Sequence, residues 1–278
     1  MLTITGLVLR FSVAGCDGRP LGGPAVYAGL AAALSGHPAK LAVVVGSDLT
    51  EQESMLLDRI GSPSASRMVR QRSTPVWRGR ALLGDAREGA ISEDLSPWSS
   101  PVLADAKGGL VCANADPSCL DRLIAATAPP WVAFDCHSAW LRVRREPLLK
   151  CLARSNLVTM TEHERDMLPR EIFARARLGE ATGPALVVKK GARGIEIVVN
   201  GMRLSMPPPQ IATVRCDIGA GDMLLGALAA CLKGNDAVNL PGLEQIAAAY
   251  ERCRPLLTML LSAPDPAAFI ARGSERLP

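Results

Sequence analysis

Aromatic side chains are scarce in this chain: four Phe, two Tyr and four Trp among 278 residues. Its core must be built mostly from Leu, Val, Ile and Ala. Histidine is scarcer still, with three residues, and no two of the eight cysteines stand as C-x-x-C, so no zinc-ligand spacing exists. Several cysteines lie inside apolar runs such as LAACL (228–232) and read as small buried hydrophobes of a reducing cytosol. Strong charge is missing too. The net charge of +4 is spread along the chain and too weak to argue for nucleic acid. The densest basic stretch, WLRVRREPLLK (140–150), reads as a solvated helix face.

No apolar run reaches the roughly 18 residues of a membrane span. The N-terminal MLTITGLVLRFSVAGC ends in a small-residue-Cys sequence like a lipoprotein cleavage site. It has no basic start, however, and Arg10 interrupts the apolar stretch. A cytoplasmic protein with no membrane or nucleic-acid partner is expected. With 48% hydrophobic and 21% charged residues, the balance is that of a globular domain with a sizeable core.

What is present is alternation. Short apolar runs predict strands at 3–9, 41–45, 109–113, 131–135, 156–160, 185–189 and 194–199. Several are continuous, as strands buried on both faces of a parallel sheet should be. Between them, helical patterns cover 24–34, 51–60, 118–127, 162–178, 223–232 and 243–261. This order predicts an α/β fold with helices on both faces. Residues 67–100 break the pattern. They alternate polar and apolar residues around WRGR and LGDAREG, and read as antiparallel strands of a lid or small sheet with one wet face. One domain spanning 1–278 with such an appendage is the simplest organisation.

The stretch CDIGAGDMLLGALAACLKG (216–234) carries chemistry. An almost wholly apolar helix ends at Lys233-Gly234, so Asp222 stands at its start. A helix N-terminus offers unpaired N–H groups and partial positive charge, and glycines let the backbone approach an anion closely. Gly219, Ala220 and Gly221 can therefore cradle negative charge that develops in a reaction. Asp222 would repel that anion, but makes sense as the base that takes a proton from an attacking hydroxyl. A plain helix cap is the structural alternative. A second glycine-rich start, LGGPAVYAGLAAALSG (21–36), places Gly22 and Gly23 before another small-faced helix.

These stretches resemble the ribokinase-like, or PfkB-type, carbohydrate kinases, over most of the chain and in the family's order. GGPAVYAGLAAALSG is similar to the Gly-Gly substrate signature, LAVVVGSDL to the strand and Gly-Asp turn after it, and GDAREGA to the lid hairpin. TEHE (161–164) resembles the N-x-x-E element, VVKKGARGIEI (187–197) the nucleotide-side strand and turn, and GAGD (219–222) is the most specific match. The resemblance implies a three-layer sandwich with a mostly parallel central sheet and a small β lid formed by about 10–21 and 67–100. It implies an ATP- and Mg²⁺-dependent kinase that phosphorylates a primary alcohol of a sugar, nucleoside-like or heterocyclic acceptor. A non-catalytic ligand-binding or regulatory protein on the same fold is the alternative. Asp222 would be the base, with Gly219, Ala220 and Gly221 as the anion hole. Lys189, Gly191, Gly194, Thr161 and Glu164 would lie on the nucleotide side, Glu164 holding Mg²⁺ through water. Gly22, Gly23, Tyr27 and Phe11 would face the acceptor, and lid strands would pair in a homodimer.

Two of the four departures fall on the acceptor side. Tyr27 replaces an Asn, and Phe11, with Arg10 beside it, replaces an Asp that grips sugar hydroxyls. Thr161 replaces the Asn of N-x-x-E, and Cys216 an Asp before GAGD. Lost hydroxyl partners and gained flat rings point to an acceptor with a ring or apolar portion. A core role for Phe11 is the plain alternative, as are an exposed first-turn acid for Glu164 and a surface strand-end lysine for Lys189. Arg10, Arg78 and Arg80 are the residues that would be available to a sugar phosphate.

Overall fold

The computed structural model describes residues 1–13, 19–61, 66–70, 72–79, 90–91, 95–98, 106–141, 143–233 and 240–277. Most of LGDAREG and GDAREGA, together with Arg80, Cys16 and Gly234, lies outside them. The chain runs β1 (Thr3–Gly6), β2 (Leu9–Val13), β3 (Leu21–Gly22), α1 (Pro24–Leu34), β4 (Lys40–Gly46), α2 (Glu51–Ile60), β5 (Ser66–Arg70), β6 (Val76–Gly79) and β7 (Ala90–Ile91). Then come β8 (Leu110–Ala113), α3 (Pro117–Thr127), β9 (Val132–Asp135), α4 (Ser138–Leu141), α5 (Arg145–Ala153), β10 (Leu157–Thr161), α6 (Glu162–Met167) and α7 (Arg170–Ala176). Last are β11 (Ala185–Lys189), β12 (Ile195–Val199), β13 (Met202–Met206), α8 (Ala220–Lys233), α9 (Leu243–Leu261) and α10 (Pro266–Glu275).

Nine strands form one sheet in the order β13-β12-β11-β10-β9-β8-β1-β4-β5. It is parallel from β11 to β5, and only β12 runs against its neighbours. Alternation along the strands feeds two cores. Ile4, Val111, Ala133, Leu157 and Val187 face α1, α8, α9 and α10. Leu110, Phe134, Val158 and Leu186 face α3, α5 and α7. This is the expected sandwich of helices on both faces of a mostly parallel sheet.

Helices α1 and α8 are interior. Every residue of α1 from Pro24 to Ala32, and of α8 from Met223 to Leu232, is buried. They touch backbone to backbone: a Cβ on Gly226 would lie 2.2 Å from the Ala28 carbonyl oxygen. Such an approach requires glycine.

Four short strands form a second sheet, β3-β2-β6-β7, which draws on residues 9–13, 21–22, 76–79 and 90–91. Two expectations change in this region. The 3–9 strand divides, because the Leu7 carbonyl accepts the Ala25 N–H at the first turn of α1 (3.1 Å) and the chain leaves the main sheet there. Residues 66–70 are not part of an antiparallel lid; they extend the main sheet beside β4 in parallel. The β2–β6 pair is parallel as well. Elsewhere the 162–178 helix divides at Pro169, which has no N–H to continue the helix.

Arg10 of β2 ties the small sheet to the main one. Its guanidinium grips both Glu53 oxygens (Nη2 to Oε2, 2.9 Å) and Asp48 (Nε to Oδ2, 3.3 Å), and it also donates to the Asp48 carbonyl (2.9 Å). Asp48 Oδ1 accepts the N–H and hydroxyl of buried Thr74 at 2.8 and 2.7 Å. Arg10 is therefore engaged with carboxylates rather than presented to a sugar phosphate.

Burial alone would raise the Asp48 and Glu53 pKa values. The bonds from Thr74 to Asp48, and from Arg10 to Glu53, outweigh it and hold both below the ordinary carboxylate range. Carboxylates of this kind add stability that is fully present above their unfolded pKa and lost as pH falls through the folded one. Melting temperature should hold from pH 7 to about 5 and drop below about 4.5. Arg10→Met should lower the plateau by about 2 kcal/mol, between the worth of exposed and buried pairs, and flatten the acid drop. An acid limb as steep as the wild type's would remove Arg10 from this role.

Candidate active site

Strand alternation decides what lies beneath the head of α8. Ala133, Leu157 and Val187 face the α8 side. Two residues further along each strand, the same alternation brings Asp135 and Lys189, at the C-terminal ends of β9 and β11, and Thr159, midway along β10, to that side. There Lys189 Nζ donates to Asp135 Oδ1 at 2.7 Å, and the Thr159 hydroxyl donates to the same oxygen. Thr159 is fully buried, Asp135 is 5% exposed and the Lys189 side chain 14% exposed. Burial works against the ammonium's charge. Asp135, Glu164 and Asp222 outweigh it and hold the Lys189 pKa above its ordinary value. A lysine buried in this way is not a surface strand end.

Glu164 is likewise buried rather than exposed, with 6% of its surface accessible. It closes a capping box at the start of α6. Its Oε2 accepts the Thr161 N–H and hydroxyl at 2.7 and 2.8 Å, and Oε1 accepts the Ser138 N–H at 3.1 Å. Burial would raise its pKa, but Lys189 and the Thr161 backbone bond prevail and keep it low and ionised.

Above this group stands α8. Its hydrogen-bond ladder begins with Met223 N–H on the Gly219 carbonyl (2.8 Å), so the N–H groups of Gly221 and Asp222 precede it. Asp222 lies half-buried in the first turn. Gly219 has to be glycine, and Gly221 leaves room for the Lys189 ammonium. Gly219 has φ +82, and a Cβ there would meet the Tyr27 ring at 2.5 Å. A Cβ on Gly221 would lie 2.8 Å from Lys189 Nζ. The expected residues Gly219, Ala220, Gly221, Asp222, Thr161, Glu164 and Lys189 are thus brought together by one helix head and neighbouring strand ends.

Gly191 and Gly194 shape the turn from β11 to β12, both at positive φ. A Cβ on Gly191 would meet nothing within 4 Å, whereas one on Gly194 would lie 2.0 Å from the Met206 carbonyl oxygen. Gly194 therefore answers to the backbone beside it, and Gly191 faces open space.

On the acceptor side Gly23 caps α1 at φ 98, and a Cβ on Gly22 would strike the Phe11 ring at 2.4 Å. Phe11 is 5% exposed and Tyr27 fully buried. Tyr27 stacks on Phe269 (5.7 Å, 16°) with Gly219 against its ring, so neither face of Tyr27 is presented to a ligand. Its hydroxyl has no hydrogen-bond partner among the described residues. Burial, with Cys216, Asp222 and Asp265 nearby, pushes this phenol well above its ordinary pKa and keeps it protonated. Trp77 of β6, half-buried, stands edge-on to Phe11 at 5.6 Å and continues the aromatic row into the small sheet.

Asp135 and Trp77 were not anticipated as site residues. The signal for Asp135 was an acid ending an apolar strand at the same sheet edge as TEHE and Lys189. Trp77 had no comparable signal, because nothing in WRGR says which strand it joins. Among the described residues no three His, Cys, Asp or Glu side chains cluster as direct metal ligands, all seven described cysteines are free, and no helix is long and apolar enough to cross a membrane.

The architecture is shared with solved structures over the whole chain. A Methanocaldococcus jannaschii nucleoside kinase, an archaeal member of the ribokinase family, superposes with a TM-score of 0.74 at 17% identity, covering 99% of both chains. The Xylella fastidiosa fructokinase with bound ATP gives 0.74 at 15% identity, covering 99% of this chain and 97% of the other. A Burkholderia thailandensis nucleoside kinase in complex with inosine gives 0.70 at 13% identity, with the same coverage. No protein-family model and no curated protein matches the sequence. The chain has the ribokinase fold.

The packing makes two stability predictions. Gly219→Ala, which combines strained backbone with a clash on Tyr27, should cost about 2 kcal/mol or more in urea unfolding. Tyr27→Phe, which removes an unpartnered buried hydroxyl, should leave stability unchanged or raise it by about 1 kcal/mol. A clearly destabilised Tyr27→Phe would mean that the hydroxyl is satisfied within the protein.

Proposed function

We propose that the protein is an ATP-dependent small-molecule kinase of the phosphotransferase class with an alcohol acceptor. The observation that carries this is the head of α8: a half-buried carboxylate, a glycine at 219 that excludes a side chain, a second at 221 that leaves room for the ammonium, and a buried charged lysine converge on one place. The fold it shares with nucleoside kinases and a fructokinase supports the same conclusion.

In this mechanism Asp222 accepts the proton of the acceptor hydroxyl. The acceptor oxygen bonds to the γ-phosphorus as the bond to the β,γ-bridging oxygen breaks, and that electron pair leaves with ADP. The α8 N-terminus and Lys189 meet the charge on the transferred group. A Mg²⁺ ion, when bound, would neutralise charge on the nucleotide's phosphates. Glu164 fits an indirect hold on it: its carboxylate is ionised and oriented by Thr161 and Ser138, but too buried for direct ligation. Gly191 faces open space on the side assigned to the nucleotide.

For the acceptor, the aromatic row favours a compound with a planar or apolar part and one alcohol. Tyr27 is enclosed, hydroxyl included, and Trp77 offers the ring. Pairing of two chains through the small sheet belongs to the same proposal. A ligand-binding protein without catalysis is the second reading, favoured by the covered faces of Phe11 and Tyr27.

The deciding experiment measures acceptor-dependent ADP release from ATP and Mg²⁺ over sugars, nucleosides, inositols and hydroxymethyl heterocycles. A nucleoside or heterocycle should be turned over, and Asp222→Asn should lose at least roughly 100-fold in kcat. Full activity in that variant would overturn the base assignment. Nucleotide binding without turnover of any acceptor would favour the non-catalytic protein.

A further inference from the structure

We propose that Asp135 is a positioning residue: it fixes the Lys189 ammonium at the head of α8, where it meets the phosphoryl group in transfer. This rests on the kinase reading above and adds to it a residue that touches neither substrate nor nucleotide.

The placement of Lys189 is hard to explain by stability. The N-terminus of a helix carries partial positive charge and disfavours a cation. Burying a lysine–aspartate pair takes two charges out of water, and an apolar pair of similar volume often serves stability as well or better. Yet the chain brings this ammonium to a position 2.8 Å from where a Gly221 Cβ would lie. The lysine and the absence of a side chain at 221 are thus two halves of one arrangement. Together they converge positive charge and backbone N–H groups on one point, which suits a transient anion.

Asp135 makes that position fixed. A lysine side chain has four rotatable bonds and, left unanchored, would sample many rotamers. Here the 2.7 Å bond to Asp135 Oδ1 pins the ammonium, and the buried Thr159 hydroxyl pins that oxygen in turn. All three side chains leave adjacent parallel strands toward one face, so the sheet itself sets their spacing. Lys189 stays protonated throughout; the acceptor's proton goes to Asp222, and the electron pair of the broken P–O bond goes to ADP.

The test compares Asp135→Asn, Lys189→Met and the double variant in two measurements. Titration calorimetry with Mg²⁺ reads the preference for a non-hydrolysable ATP analogue over ADP, without any acceptor. Lys189→Met should reduce that preference about tenfold, and Asp135→Asn should reduce it in the same direction. In turnover, Lys189→Met should cost about 100-fold in kcat, the usual worth of one group facing developing charge, while nucleotide KM changes less than about threefold. The double variant should be no worse than Lys189→Met alone, because the two residues act as a unit. Should Asp135→Asn fail to fold, Thr159→Val loosens the same carboxylate and should give a smaller loss of the same kind. A merely structural Asp135 would lower the melting temperature and leave nucleotide preference and kcat of the folded fraction intact, which would overturn the proposal. Losses that multiply in the double variant would do so too. A wild-type protein that binds neither nucleotide would overturn the kinase reading, and this inference with it.

Discussion

Helix α8 is apolar on every side from Met223 to Leu232, and it has to be covered on every side. The chain meets this by laying it across the ends of β8, β9 and β10 with α1 and α9 alongside. The contact with α1 is close enough to need glycine at 226. A helix held in this way cannot shift along its axis without opening the core. Its polar first turn is therefore fixed at the C-terminal edge of the sheet, where parallel strands all end. Everything at the candidate site follows from that constraint. The helix supplies its N–H groups and Asp222, and the strand ends supply Asp135, Thr161 and Lys189.

The charges around Lys189 have their own logic. Asp135, Glu164 and Asp222 all favour its charged form, and Asp135 is in direct contact. Asp135 balances the ammonium at contact, and the N-terminus of α8 adds partial positive charge beside it. Glu164 remains ionised because backbone N–H groups and Lys189 hold it so, rather than because water reaches it. A region so arranged suits an anion at the helix head, as the phosphates of the proposed nucleotide would be.

Much of the fold was legible because its signals are local. Pro24 opens α1 at the expected residue, and Glu51–Ile60, Ala185–Lys189 and Leu243–Leu261 are found with the expected limits. The capping pattern TEHE marks the start of α6 as written. The failures were tertiary. Leu7 has the composition of a strand, yet its carbonyl is taken by α1. Residues 66–70 alternate as a wet strand does, and only the pairing with β4 reveals them as an edge of the main sheet. β13 was missed although Asn200-Gly201, at φ 53 and 77, is a recognisable hairpin turn. At the candidate site, contiguous motifs are what single out Asp222 and Glu164. The Asp135–Lys189 pair spans 54 residues and exists only through the register of three strands.

The acceptor side follows a different principle from the phosphate side. Under the proposed reading, phosphoryl transfer needs fixed charge, and the candidate residues for it stand on strand ends and a helix head. Acceptor selection rests on surfaces, and the aromatic row crosses from α10 through Tyr27 and Phe11 to Trp77 in the small sheet. Only Trp77 in that row is more than slightly accessible, and it belongs to the sheet tethered by Arg10. Phe11 and Tyr27 cannot grip a polyol, having no free ring face and one hydroxyl between them. In the proposed kinase they would fill space that an Asp and an Asn leave polar and wet, and leave Trp77 for the acceptor to reach. Buried ring edges without polar partners penalise a polyol, whose hydroxyls would lose their bonds to water there, more than a ligand with a flat apolar part. Acceptor affinity would then be decided at Trp77.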